Sequence, residues 1–411
     1  MKKNKKKHLN SEERFCIEKM IKLNLKYMEN KDITGNNFNK VLEMASLNSF
    51  AMSFVSIFVP VYLFNLGYSF QMVMLWMMIH HATLLLFAFV TVKVSNKIGL
   101  VHSLHVRFGL LLAYFLLLLF GLKDMPMLFY IIPIIFGAES AFYRIPLNIL
   151  FVRNTKEENM GKSMSKFFVV PKALSMAGPL VGAFIAIHYG FNILFGFAMF
   201  LLFFTFLPIL SLKSEKTNFI FSKERFKEIW QKNKQYFVPE IIDNLAEDAM
   251  VLWTIFIFLQ LASILEVGII GIIIAVASLF FTLTLGKLTD QWNKHKLIKI
   301  GAFLVSIVWF INFAIGEFFP NKYLFYIATI FATLSLKVFL VPYGSLMYNQ
   351  ARKDDAQFLV LREIPTVLGK LILFSIAILL HNHLPLLFLS VGIIFIYFWF
   401  LDTRKLNEVL T

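Results

Sequence analysis

The chain has 411 residues, of which 58% are apolar and 16% charged, with 48 Phe and a formal charge of +15. A soluble domain is about 45–50% apolar and about a quarter charged, so these proportions exclude an ordinary soluble protein and point to a bilayer. The basic residues are spread over connecting segments with no aromatic-interleaved patch, which argues against nucleic acid and for anionic lipid headgroups as partner.

Residues 1–43 form a polar, basic tail that begins with Lys2, Lys3, Lys5, Lys6 and Lys7, too long and too polar to be a cleaved signal peptide. Within it, Asn10 can cap a helix with Glu12 and Glu13 in its first turn and a ragged apolar side, which suits an interfacial helix. The single Cys16 lies here, so neither a disulfide nor a Cys-based metal site is available.

Twelve apolar runs follow, at 44–66, 71–92, 105–122, 127–152, 165–187, 191–211, 238–261, 265–286, 298–316, 323–347, 357–380 and 384–402. Each is near the ~20 residues that cross ~30 Å of hydrocarbon. The expectation is an all-α polytopic protein: a six-helix bundle at 44–211, a linker at 212–237, a second bundle at 238–403 and a tail at 404–411. In the linker, Ser222 precedes Glu224, Arg225, Phe226, Ile229 and Trp230, an N-cap and a short amphipathic helix.

Charge gives the orientation. Of 40 Lys and Arg residues, 33 fall in the N-terminal tail, the even-numbered connections and the C-terminal tail, counting with these Arg107, Lys166 and Lys299 at the edges of their runs; two fall in the odd-numbered connections. The basic side is cytoplasmic, which puts both termini inside. The remaining five are Arg144, Lys172, Lys337, Arg362 and Lys370, inside the runs.

The two halves share an order of features. Run four ends in Pro146 and a charged loop at Lys156, and run ten has Pro342 and a charged loop at Lys353; the intervals are 196 and 197 residues. Runs five and eleven each contain a proline, Pro171 and Pro365. Two six-helix halves in parallel repeat are a transporter plan.

After run eight comes Gly286-Lys287-Leu288-Thr289-Asp290-Gln291-Trp292-Asn293-Lys294-His295-Lys296. This resembles the loop signature of the major facilitator superfamily, in which the Asp helps to lock the cytoplasmic gate. The equivalent first-half loop, Val92 to Gly99, has Asn96 where Asp is usual and Val92 where Gly is usual. In run five, Gly178-Pro179-Leu180-Val181-Gly182 is similar to part of an antiporter motif, yet Gly178, Gly182 and Ala186 at four-residue spacing also suit close helix packing, the favoured reading. Run four lacks the Arg that drug–proton antiporters place four residues before a Gly, since Pro133 precedes Gly137.

Ionisable groups inside a bilayer are costly, so each is a functional candidate. Glu139 and Arg144 are five residues apart and face differently, so each needs a partner elsewhere. The resemblance implies that helices one, four, seven and ten line a central cavity. On that basis Glu139, Arg144, Asp243, Glu247 and Lys337 are the candidate substrate and proton residues. Asp290, Lys172, Arg362, Glu363 and Lys370 are assigned gating or structural roles. Glu240 is read as an edge residue paired with cytoplasmic Lys. His80 and His81 are adjacent, which does not make a metal pair. Metal and cofactor are expected to be absent, and no Walker loop or hydrolytic motif is present.

The expected function is a secondary transporter in a bacterial-type plasma membrane. It would move a small solute by alternating access, coupled to protons or another ion, with export preferred on the run-five motif. The alternative is a non-transporting sensor or assembly partner on the same fold, motivated by Asn96 in the first-half loop.

Overall fold

Helices carry the architecture of the computed structural model, which describes residues 37–120, 122, 125–155 and 160–400. Side chains are described for all of these except 160–162, 164–165, 286–291, 349, 352–356 and 400. The expected interfacial helix in the tail, the C-terminal tail and the Asp290 side chain lie outside the described set.

The chain enters as α1 (Asn37–Asn65), which is interrupted by a turn at 54–57. There follow α2 (Phe70–Ile98), α3 (Leu100–Phe120), α4 (Leu128–Arg153), α5 (Met160–Leu174) and α6 (Gly178–Phe203). A short α7 (Leu207–Leu210) leads into the linker, which holds α8 (Lys223–Asn233). The remainder is α9 (Phe237–Leu261), α10 (Ile264–Gln291), α11 (Lys294–Phe318), α12 (Lys322–Leu379) and α13 (Pro385–Phe400). Among the described residues, eight helices are long and apolar enough to cross a membrane.

Two of the long helices double back. α6 changes direction at Gly190, whose φ of 84° is open to glycine and strained for other residues. This is the expected His188-Tyr189-Gly190 connection. In α12, Tyr343 and Arg362 both bond the carboxylate of Glu240, which a straight helix of ~1.5 Å per residue could not allow. The chain therefore reverses between them, and α12 is two antiparallel arms.

The amphipathic helix of the linker forms as the sequence predicts. Ser222 accepts from the Arg225 amide at 3.0 Å, and Ile229 is buried. Arg225 reaches Glu228 at 2.7 Å along the exposed face.

Small residues set how closely the helices approach. Gly178 and Gly182 of α6 leave no room for a Cβ against Ser53 and the Phe54 carbonyl of α1. On α10, a Cβ at Gly268 would sit 2.6 Å from Ala183, and one at Gly271 would sit 2.5 Å from Pro179. The Gly178–Gly182 segment is thus a packing surface on two sides, which accounts for its glycines without an antiport role. In the bilayer such contacts replace the hydrophobic drive between helices. In the second half, an aromatic cluster of Trp253, Phe256, Trp309, Phe325 and Phe388 fills the core, and Trp253 donates to Thr329 at 3.0 Å.

Candidate functional site

A cavity of about 350 Å³ lies where α1, α5, α6, α9, α10 and the first arm of α12 meet. Three ionisable side chains reach it: Lys172 from α5, Glu247 from α9 and Lys337 from α12. Among the described residues, none of the three has an ion pair or a side-chain hydrogen bond. Hydroxyls complete the polar wall, with Ser53 and Ser56 from α1, Ser175, Thr254, Ser278 and Thr333. The cavity thus holds two amines and one carboxyl that have not neutralised one another at contact distance.

Sequence reasoning anticipated Glu247 and Lys337 here. Lys172 was expected in a gating or structural role, and the structure places it in the cavity wall instead. The reason is that α5 and α10 contribute to the wall as well as the helices suggested by the resemblance.

Glu139 and Arg144 are not among the residues lining this cavity. The Glu139 carboxylate accepts from Arg107 Nε at 2.5 Å, and Arg107 also bonds the Asn48 side chain and lies 4.1 Å from the centre of the Tyr143 ring. Arg107 is 2% exposed and Glu139 4%, so this is a buried pair that ties α1, α3 and α4 together. Sequence reasoning counted Arg107 with the basic flank of run three and missed it. The available signal was Glu139 itself, a buried carboxylate that required a cation on another helix.

Arg144 pairs instead with Glu363 of the second α12 arm, at 3.4 Å. Nearby, Tyr348 bonds Asn148 at 3.3 Å, again from α12 to α4. A second link joins α2, α9 and α12: Lys370 holds Asp248 at 2.7 Å, and His81 Nε2 lies 3.5 Å from the other Asp248 oxygen. Glu363 and Lys370, which share a helix face, therefore serve different partners.

Glu240 is fully buried, contrary to the expected edge position. Arg362 Nε donates to it at 2.6 Å, Tyr343 at 3.0 Å, and Thr366 and Asn244 each at 3.1 Å. Both oxygens are satisfied by charge-assisted bonds, an arrangement that makes a buried carboxylate tolerable. Its position at the start of run seven had suggested pairing with cytoplasmic Lys, whereas Arg362 and Thr366, four residues apart on one face, are the partners that hold Glu240 inside.

Asp243, one turn along α9, stands apart. Its Oδ1 is buried with no hydrogen-bond partner among the described residues, although Glu240, Glu247, Arg362 and Lys370 surround it. The neighbouring cations are already engaged by Glu240 and Asp248. His80 is buried against Phe136, with ring centres 4.4 Å apart. Among the described residues no cluster of His, Cys, Asp or Glu is arranged to hold a metal ion.

The first-half loop has its own structure. Asn96 donates to the Phe219 carbonyl at 2.9 Å and accepts from the Phe219 amide at 3.2 Å and from the Thr217 hydroxyl. One residue on, Gln357 of α12 grips Ile220 in the same way, donating to its carbonyl at 3.1 Å and accepting from its amide at 3.3 Å. The non-helical segment 213–222 is therefore clamped by carboxamides from both sides. An Asp at 96 could accept and could not donate, so the departure from the usual motif has a local cause. Close by, burial pushes the Tyr236 hydroxyl up to about 12, so it stays neutral.

The arrangement has clear relatives in fold. The human organic anion transporter MFSD10 aligns with a TM-score of 0.64 at 12% identity, over 89% of this chain and 99% of that one. The Escherichia coli fucose:proton symporter FucP aligns at 0.66 and 12% identity, over 90% and 98%. A bacterial homologue of the human drug peptide transporters PepT1 and PepT2 aligns at 0.69 and 12% identity, over 92% and 100%. The chain thus has a major-facilitator-like fold and is a multi-pass membrane protein. In sequence it is 24% identical over 343 residues to the uncharacterized protein YqgE of Bacillus subtilis (strain 168), covering 76% of this chain and 77% of that protein. No protein-family model matches the chain.

Proposed function

We propose that this chain is a secondary transporter that moves a small solute through the Lys172–Glu247–Lys337 cavity by alternating access. The proposal includes twelve crossings in two six-helix halves, at 44–211 and 238–403, with both termini in the cytoplasm of a bacterial-type cell. The carrying observation is the contrast in pairing. Arg107, Glu139, Arg144, Glu240, Asp248, Arg362, Glu363 and Lys370 are matched with one another, which suits structure and gating. Lys172, Glu247 and Lys337 face a cavity with their charges unmatched, which suits a solute.

Coupling to protons follows from the same contrast. Among the described carboxyls of α9, Asp243 and Glu247 are the two that no cation holds at contact distance, and they lie one turn apart. Proton uptake removes an unpaired charge, at Asp243 from a buried position and at Glu247 from the open cavity wall, and proton release restores the attraction to Lys337. The Arg144–Glu363 pair and the His81–Asp248 contact, which cross between the halves, break and re-form as the halves rock.

The test is flux in proteoliposomes. Purified protein should exchange an internal solute for the same labelled solute outside, and an imposed pH gradient should bias the exchange. Lys337→Ala should abolish exchange while leaving the folded yield intact. Exchange of no solute from a broad panel would sink the reading and favour the non-transporting alternative.

A further inference from the structure

We infer that the solute is a small organic anion that also carries hydrogen-bond donors, such as a hydroxylated carboxylate; this rests on the transporter reading above. The first argument is charge. With Lys172 and Lys337 ionised, Glu247 as its carboxylate and the neighbouring buried Asp243 in its protonated form, the cavity carries one net positive charge. A neutral solute would leave that charge uncompensated, and a cation would double it. A monoanion cancels it. A dianion does so when Glu247 takes up a proton, which joins the substrate to the coupling step.

The second argument concerns donors and acceptors. The two ammonium groups are donors only, with no acceptor of their own and no partner among the described residues. They are the natural seats for a carboxylate or phosphate. The hydroxyl wall is biased the other way. Ser53 donates to the Phe50 carbonyl, Ser175 to Lys172, Thr254 to Met250 and Thr333 to Thr329, so their protons are already spent on helix backbone. What these four hydroxyls leave free is lone pairs. These four can receive a donor from the solute and cannot bind an anion, so a solute with its own O–H or N–H groups fits them, while Ser56 and Ser278 keep protons to give.

The third argument is size. A cavity of about 350 Å³ is at the small end of ligand sites, which run from about 300 to 1,000 Å³. It suits a metabolite-sized solute over a peptide of several residues. The remainder of the wall, including Ile57, Met250, Ile274 and Leu340, is apolar, so the anion has a carbon skeleton to pack against it.

The experiment uses the purified full chain and four sets of probes. Gluconate, malate and glycerol 3-phosphate are the hydroxylated anions, mannitol and glucose the neutral polyols, choline and putrescine the cations, and glycine and serine the zwitterions. Thermal stabilisation and counterflow are read in parallel. At least one hydroxylated anion should stabilise and exchange, and Lys172→Gln and Lys337→Gln should each weaken its binding by about ten-fold or more. Should either variant fold poorly, the wild-type chain is labelled with acetic anhydride, and the bound anion should protect Lys172 and Lys337 as read by mass spectrometry.

Binding and exchange of a polyol, cation or zwitterion in preference to every anion overturns the anion assignment and leaves the transporter standing. Exchange of an anion that neither variant weakens, without protection of either lysine, overturns the site. Silence of all four sets in both assays overturns the transporter reading and this inference with it. Carboxylate against phosphate is decided within the anionic set.

Discussion

Arg144 and Glu363 stand 219 positions apart in the chain and 3.4 Å apart in the fold. The arginine comes from α4 and the glutamate from the second arm of α12, so the pair joins the two halves of the sequence. The environments of the partners differ: the Arg144 side chain is about one-third exposed at 32%, while Glu363 is buried at 3% and its Oε2 has no partner among the described residues. The glutamate depends on the arginine more than the reverse.

Removing Arg144 should therefore cost more than removing both charges. Arg144→Ala leaves a carboxylate buried without a cation, a loss of about 3 kcal/mol when fully uncompensated. The Arg144→Gln/Glu363→Gln double variant should lie within about 1 kcal/mol of the parent. Thermal midpoints of the three proteins in one detergent decide the matter, and a double variant as unstable as Arg144→Ala would show that the charges do not act as a pair.

Glu139→Gln should be a stability lesion. It strips the 2.5 Å partner from Arg107, which then lies buried with only Asn48 and the Tyr143 ring beside it. The expected loss is about 3–5 kcal/mol, with reduced folded protein in the membrane. Replacing the pair together, as Arg107→Met/Glu139→Leu, should recover most of the yield. A Glu139→Gln protein that folds like the parent and fails only in coupling would return Glu139 to the proton pathway.

Asp243→Asn should do the opposite. Asn keeps the shape and removes the unpaired charge, so stability should change by no more than about 0.5 kcal/mol. Solute exchange should continue, and its response to an imposed pH gradient should disappear. Retention of the full pH response would exclude Asp243 as a proton carrier and leave Glu247.

Asn96→Asp, which restores the residue usual in the resembled loop, should loosen the linker. It removes a donor to the Phe219 carbonyl and sets two acceptors face to face, for a cost of about 1–3 kcal/mol. Limited proteolysis between 213 and 222 should become faster in this variant. Unchanged cleavage would mean that Asn96 does not hold the segment.

Much of the architecture was legible because lipid leaves few options: long apolar runs must be helices, and Gly67 and Gly190 mark turns where φ is positive. Glu247 and Lys337 were expected at the cavity because the resemblance puts helices seven and ten there, and Lys337 is the one charge in its run. Pairing was not legible. Arg107 is two residues inside a run that began at 105, where a snorkelling lysine and a buried arginine look alike in a sequence. Glu240 met the same difficulty, since the depth of the first turn of α9 depends on where Arg362 arrives from a helix over a hundred residues later. Lys172 was expected in a gating or structural role because the helices carried over as cavity-lining did not include α5, and it lines the cavity wall.

The two clamps on the linker fall on adjacent residues, Phe219 and Ile220. Successive Cα atoms are about 3.8 Å apart, so Asn96 of α2 and Gln357 of α12 are tied through a single peptide unit with almost no slack. The linker side can part by little more than one residue's length before one clamp lets go. Loss of the Gln357 clamp would leave the segment bound to the first half, where the Leu100 amide donates to the Glu215 carbonyl at 2.8 Å and Arg153 to the Lys216 carbonyl at 3.0 Å.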